Sequence, residues 1–112
     1  MGKGAESLGS FELLVMTAIR ELGKQAWGLS IYKKVCELSG RIENLGSLYV
    51  ALDRLERKGY VESKQETGGP ARGGKPKRLC WLTPDGGRVL QEAIEVAQRV
   101  TGSYLKSNKV RV

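Results

Sequence analysis

The amino-acid sequence predicts a mainly helical fold carrying one β-hairpin. Three observations lead there. Four segments repeat apolar residues at helical spacing. Two short segments rich in strand-forming residues flank a glycine-rich stretch. Glycines and a Thr-Pro pair mark the boundaries between them.

The first periodic segment places Phe11, Leu14, Val15, Ala18, Ile19 and Leu22 on one continuous helical face. Ser10 is suited to cap its start and Gly23 to stop it, which predicts a helix over about 10–23. A short connection holding Trp27 and Gly28 follows. The second helix carries Ile31, Val35 and Leu38 as its stripe, with Tyr32 and Cys36 alongside, and closes at Gly40. The third aligns Leu45, Leu48, Leu52 and Leu55 and ends at Gly59. Tyr60–Glu66 and Lys77–Leu82 read as two strands of a hairpin around the Gly/Pro-rich loop TGGPARGGKP. Thr83 is a suitable cap and Pro84 a suitable first residue for a last helix. Its stripe is Leu90, Ala93, Ile94, Ala97, Val100 and Tyr104.

The order helix, helix, helix, strand, loop, strand, helix is that of a winged helix-turn-helix with one added C-terminal helix. The expected organisation is a winged-helix unit over 1–83, a dimerisation helix over 84–107 within the same compact unit, and a flexible basic tail over 108–112.

A chain of 112 residues fits one domain. It has 40% hydrophobic and 28% charged residues, the balance of an ordinary globular protein. No window reaches the length of a membrane span, and no secretion signal is read at the start, so the expected compartment is the cytoplasm. There is no histidine and there are only two cysteines, Cys36 and Cys80. That argues against a metal site, a cofactor and the usual general base, and hence against an enzyme. The two thiols read as reduced, half-buried core residues.

The net charge is +7, as expected of a polyanion binder. Its placement says more. Opposite the leucine stripe of the third helix lie Ser47, Val50, Arg54, Arg57 and Lys58, flanked by Tyr49 and Ala51. Small side chains stand at one end and cations at the other, an arrangement suited to base edges and phosphates in a major groove. A solvated helix face shows the same pattern, and Asp53 is spaced to pair with Arg57. The loop shifts the balance. Between Thr67 and Arg78 stand Arg72, Lys75, Lys77 and Arg78 without an acid. Such a wing suits a phosphate backbone or a narrow minor groove, where a soluble loop would need no such bias.

The runs Leu8–Val15, Trp27–Ile31, Leu45–Val61 and Lys77–Gly86 together resemble the PadR-like transcriptional regulators, in their short form with a single C-terminal helix. The resemblance spans about residues 8–100. Leu45-Gly46-Ser47-Leu48-Tyr49 leading into Leu52-Asp53-Arg54-Leu55-Glu56-Arg57-Lys58-Gly59 is its most specific part. It implies a repressor that binds a roughly palindromic operator on double-stranded DNA as a homodimer. The third helix would read the major groove through Ser47, Tyr49, Val50 and Arg54, with Tyr49 against the phosphate backbone. Arg72, Lys75 and Lys77 would form the wing. Some relatives bind planar aromatics between aromatic residues of the dimer interface. Here the last helix offers only Tyr104, and Trp27 and Trp81 read as core residues, so the sequence leaves open whether a small-molecule effector exists. The competing reading is a winged helix that contacts proteins rather than a specific DNA site.

Overall fold

A computed structural model of the chain describes residues 8–66 and 77–111, with side chains described through Ser107. The element order is α1 (Ser10–Leu22), a 3-10 turn (Gly23–Gln25), α2 (Gly28–Ser39), α3 (Leu45–Arg57), β1 (Val61–Glu66), β2 (Lys77–Leu82) and α4 (Pro84–Arg111). This is the mainly helical, hairpin-bearing arrangement expected from the sequence.

Each helix starts where a side chain satisfies an orphan N–H. Gly9 takes the cap position of α1, one residue earlier than expected. The carboxylate of Glu12 reaches back and accepts its N–H at 2.9 Å, which Ser10 is not placed to do. Trp27 caps α2, with its N–H donated to Ser30 Oγ at 3.0 Å. Asn44 Oδ1 accepts from Ser47 N–H at 2.9 Å and starts α3. Thr83 Oγ1 accepts from Gly86 N–H at 2.9 Å and starts α4, with Pro84 at its first position. Gly40, left-handed at φ 76°, closes α2.

The apolar faces meet in one core. Val15, Met16 and Ile19 of α1, Ile31 and Val35 of α2, and Leu48, Leu52 and Leu55 of α3 pack with Tyr60, Val61, Cys80 and Leu90. Two stripes differ from expectation at their ends. Leu38 and Leu45 are exposed, whereas Ala51 is buried. Leu38 and Leu45 lie only ~20° round their helices from the buried Ile31 and Leu52, so it is their place at the end of α2 and the start of α3, not their face, that leaves them exposed.

β1 and β2 pair antiparallel in the register Val61↔Leu82, Ser63↔Cys80 and Gln65↔Arg78. Trp27 bridges Leu79 on the other edge of β2, and Cys80 N–H donates to Ala26 O at 2.8 Å. The strand therefore lies between β1 and the approach to α2. Trp81, expected in the core, is instead 43% exposed, because strand alternation turns Cys80 inward and its neighbour out. Its indole N–H donates across the hairpin to Glu62.

The root of α4 is anchored to the segment entering β1. Thr83 N–H donates to Tyr60 O, and Thr83 Oγ1 donates to Gly59 O at 2.7 Å. Gly86 packs so closely there that a Cβ would overlap the Tyr60 carbonyl oxygen and lie 2.9 Å from its carbon. Glycine is required at this position by contact rather than by φ. From this root the helix runs to Arg111, into the segment read from the sequence as a tail.

Candidate nucleic-acid interface

α3 presents its outer face through Ser47, Tyr49, Val50, Arg54 and Arg57, all exposed. The stripe beneath them is buried, so burial of one side alone fixes which side faces out. Neither Arg54 nor Arg57 forms an ion pair among the described residues. Both lie in the last turn, where cations also offset the helix dipole. The Asp53 carboxylate, expected near Arg57, accepts from Arg78 Nη2 at 3.1 Å instead.

Tyr49 lies across the start of α2. Its hydroxyl sits where a side chain on Gly28 would stand, and its Cζ lies 3.2 Å from that position. Gly28 thus allows α3 to cross the end of α2 closely. Beside it, Lys77 Nζ stands 3.8 Å above the Trp27 ring, a cation–π contact that holds the ammonium at the root of the wing. Tyr49, Trp27 and Lys77 therefore converge on the N-terminal end of α2.

Two residues expected on the same surface are held inside the fold. Lys58 Nζ is 2.9 and 3.0 Å from the two oxygens of Glu12, and the two side chains are only 14% and 6% exposed. Burial pushes the Glu12 carboxyl up, but the Gly9 N–H, the Lys58 ammonium and the field of Arg54 outweigh it and hold it below its ordinary value. Arg78 bonds Asp53, Glu56 and Ser63 Oγ, and Ser63 in turn donates to Glu56. Burial opposes the Arg78 charge, whereas Glu56 and Asp53 raise its pKa on balance. This arginine fastens the hairpin to α3. Lys58 fastens α3 to α1. Arg72 and Lys75 lie outside the described residues.

The α4 stripe divides. Leu90 is fully buried in the chain's own core, Ile94 packs against it and Ala93 is half-buried. Ala97, Val100 and Tyr104 are exposed, the last two at 63% and 65%. Val96 and Leu105, which the expected stripe omitted, are uncovered as well. Cys80 is buried, and its thiol is pushed up to about 11 chiefly by burial, which keeps it protonated and unreactive. No group of three or more potential metal ligands occurs among the described residues. No described helix is long and apolar enough to cross a membrane.

Comparison with known proteins agrees with this architecture. Residues 15–92 match the transcriptional regulator PadR-like family. A PadR family transcriptional regulator from Eggerthella lenta is 28% identical and superimposes with a TM-score of 0.62, covering 84% of this chain and 79% of that one. RosR of H. salinarum is 22% identical with a TM-score of 0.66, over 96% of this chain and 99% of that one. BpsR of Bordetella bronchiseptica, whose DNA binding is regulated by 6-hydroxynicotinic acid, is 20% identical with a TM-score of 0.67. There 88% of this chain is covered and 62% of the other, so this chain spans less than two thirds of BpsR. No curated protein matches the sequence.

Proposed function

The chain belongs to the PadR-like family of transcriptional regulators, and on that premise we propose that it is a cytoplasmic repressor that binds a two-fold operator on double-stranded DNA as a homodimer. The observation that carries the proposal is the outer face of α3. Ser47, Val50 and Arg54 stand exposed on it, and Arg54 and Arg57 form no ion pair among the described residues. A surface stabilised from within would pair them. A surface meant for phosphates and base edges leaves them open.

The roles divide along the helix. Ser47 and Val50 are small enough for close approach to bases, and Arg54 is the candidate for bidentate contact to guanine. Tyr49 and Lys77, gathered at the end of α2, contact phosphate. Arg57, Arg72 and Lys75 add further phosphate contacts. Lys58 and Arg78 serve the interface indirectly, by holding α3 and the hairpin in place. Residues 1–83 act as the DNA-binding unit, and 84–107 as the helix that joins two copies. The uncovered Val100 and Tyr104 support a second copy there, and a C2 dimer sets two α3 helices about one DNA turn apart, ~34 Å.

One observation favours a second reading, a module that docks on another protein. Ile42 in the turn between α2 and α3 is 89% exposed, with Leu38 and Leu45 exposed nearby. Fluorescence anisotropy on promoter fragments at stepped salt separates the two. Several phosphate contacts predict log affinity falling by roughly 0.9 per contact for each decade of salt. Salt-insensitive or absent binding would overturn the DNA reading. Arg54→Ala should lose preference among sequences, whereas Lys75→Ala should weaken all DNA about equally.

A further inference from the structure

Four residues follow the midline of the outer face of α3: Gly46, Val50, Asp53 and Arg57. At ~100° per residue each lies within about 30° of the direction opposite the buried Leu48, Ala51, Leu52 and Leu55. The helix is tied down on both flanks. Lys58 bonds Glu12 of α1 on one side, and Glu56 bonds Arg78 of the hairpin on the other. The midline therefore faces away from the body. Among the described residues Val50 is the only apolar side chain on it, and it is 53% exposed.

Its surroundings leave the two methyl groups open. A helical side chain leans over the turn before its own Cα, which for Val50 is the turn of Gly46. Gly46 has no side chain to cover them, and it lets the helix approach a surface closely. A residue branched at Cβ holds essentially one rotamer in a helix, so Val50 loses little freedom on contact. It does not belong to the apolar patch at the α2–α3 turn, because Leu45 lies about 140° away round the helix. Its neighbours on the Lys58 side are Ser47 and Arg54, at about 60° and 40°. A single exposed valine is ordinary on a protein surface. On a face that enters the major groove it meets base edges whose apolar feature is the 5-methyl group of thymine.

We propose that Val50 is a specificity residue whose isopropyl group packs against the 5-methyl of one thymine in each operator half-site. The assignment rests on the reading of α3 as the helix in the major groove, and it names the base that this position selects. Ser47 and Arg54 beside it supply hydrogen bonds, whereas Val50 supplies none and touches no phosphate. Taking one methyl group out of water is worth about fourfold in affinity for each half-site.

The test uses the whole protein and a duplex that it selects from random DNA. Fluorescence anisotropy compares this duplex with copies in which each thymine in turn, with its symmetry mate, is replaced by uracil. Uracil lacks the methyl and keeps every hydrogen-bonding group of thymine. At one thymine of each half-site the paired replacement should weaken binding about 15-fold. At the same positions cytosine should bind more weakly than 5-methylcytosine by a similar factor, because the methyl is then the whole difference. In Val50→Ser, an exposed substitution that circular dichroism checks for folding, the thymine and uracil duplexes should bind within about twofold of each other. The salt slope should stay that of the wild type, since no phosphate contact is removed. If no thymine responds to uracil, or if the methyl effect persists in Val50→Ser, the assignment is overturned while the DNA reading stands. If the protein selects no duplex and binds none, the DNA reading falls and the assignment falls with it.

Discussion

Lys58→Met tests whether Lys58 holds the fold or the DNA. The ammonium lies within 3.0 Å of both Glu12 oxygens, and the side chains are 14% and 6% exposed. Removing one partner of a buried pair costs about 3–5 kcal/mol, because the other charge is left uncompensated. Glu12 keeps the Gly9 N–H, so the cost falls at or just below the low end of that range, about 2–3 kcal/mol at pH 7.5. For a domain of this size the loss lowers the melting midpoint by roughly 4 °C per kcal/mol, at fixed protein concentration. The pH dependence gives a sharper check. In the wild-type protein the Glu12 pKa is lowered. Its contribution is therefore fully present above the ordinary glutamate value, about 4.3, and is lost as pH falls through the depressed native value. In the variant the Lys58 ammonium no longer lowers the Glu12 pKa, so the native value rises and less of the variant's stability is lost on acidification. The gap between the two proteins should therefore narrow from pH 7.5 towards pH 4. Urea unfolding at the two pH values measures it. A gap under about 1 kcal/mol at pH 7.5, or one that does not change with pH, would refute the argument. In the DNA assay Lys58→Met should leave the salt slope unchanged. A slope reduced by about one would make this lysine a phosphate contact.

The remaining predictions concern close approach and the uncovered helix. Gly86→Ala sets a methyl against the Tyr60 backbone, which cannot swing aside; a loss of about 3 kcal/mol or more is expected in thermal unfolding. Gly28→Ala meets only the tip of the Tyr49 side chain, so it should cost about 1–2 kcal/mol, partly restored by adding Tyr49→Phe. Restoration would be absent if the strain lay in the α2 backbone. Val100→Glu combined with Tyr104→Glu puts charge on the uncovered face of α4 and should yield monomers in sedimentation while leaving the melting of the winged-helix core intact. A dimer that survives both changes would place the two-fold contact elsewhere.

Helical spacing and turn chemistry made most of the fold legible in the sequence. The stripes on α1 to α3 are dense enough to fix which face is buried, and Gly40 at the end of α2 and Thr83 and Pro84 at the start of α4 mark boundaries by chemistry that works locally. Long-range electrostatics was not legible. Lys58 lies 46 residues from Glu12 and Arg78 lies 25 from Asp53, and no spacing rule joins such pairs. Charge alone put both on the DNA face, while the folded chain gives them internal partners. The same holds for Trp81, where its place in the motif suggested the core and strand alternation turned it out. The stripe on α4 was visible as a whole, but its division between the chain's own core and an open face depends on where α1 ends. Asn44 could have been read as a cap from its place before Leu45, three residues ahead of the N–H it accepts.

The anchoring of α4 at Gly59, Tyr60 and Gly86 has a mechanical consequence. The helix is 28 residues long, roughly 42 Å at 1.5 Å per residue, and it leaves the body as a beam clamped at one end. Its packing on the core reaches Ile94, so the free part is roughly 25 Å long. If a second copy is joined along it, a tilt of about 10° where it leaves the core would displace the far end by roughly 4 Å. That is about one base-pair step of DNA. The glycine at the clamp would then set how far apart two reading heads stand, and a small substitution there would act as a change of gauge.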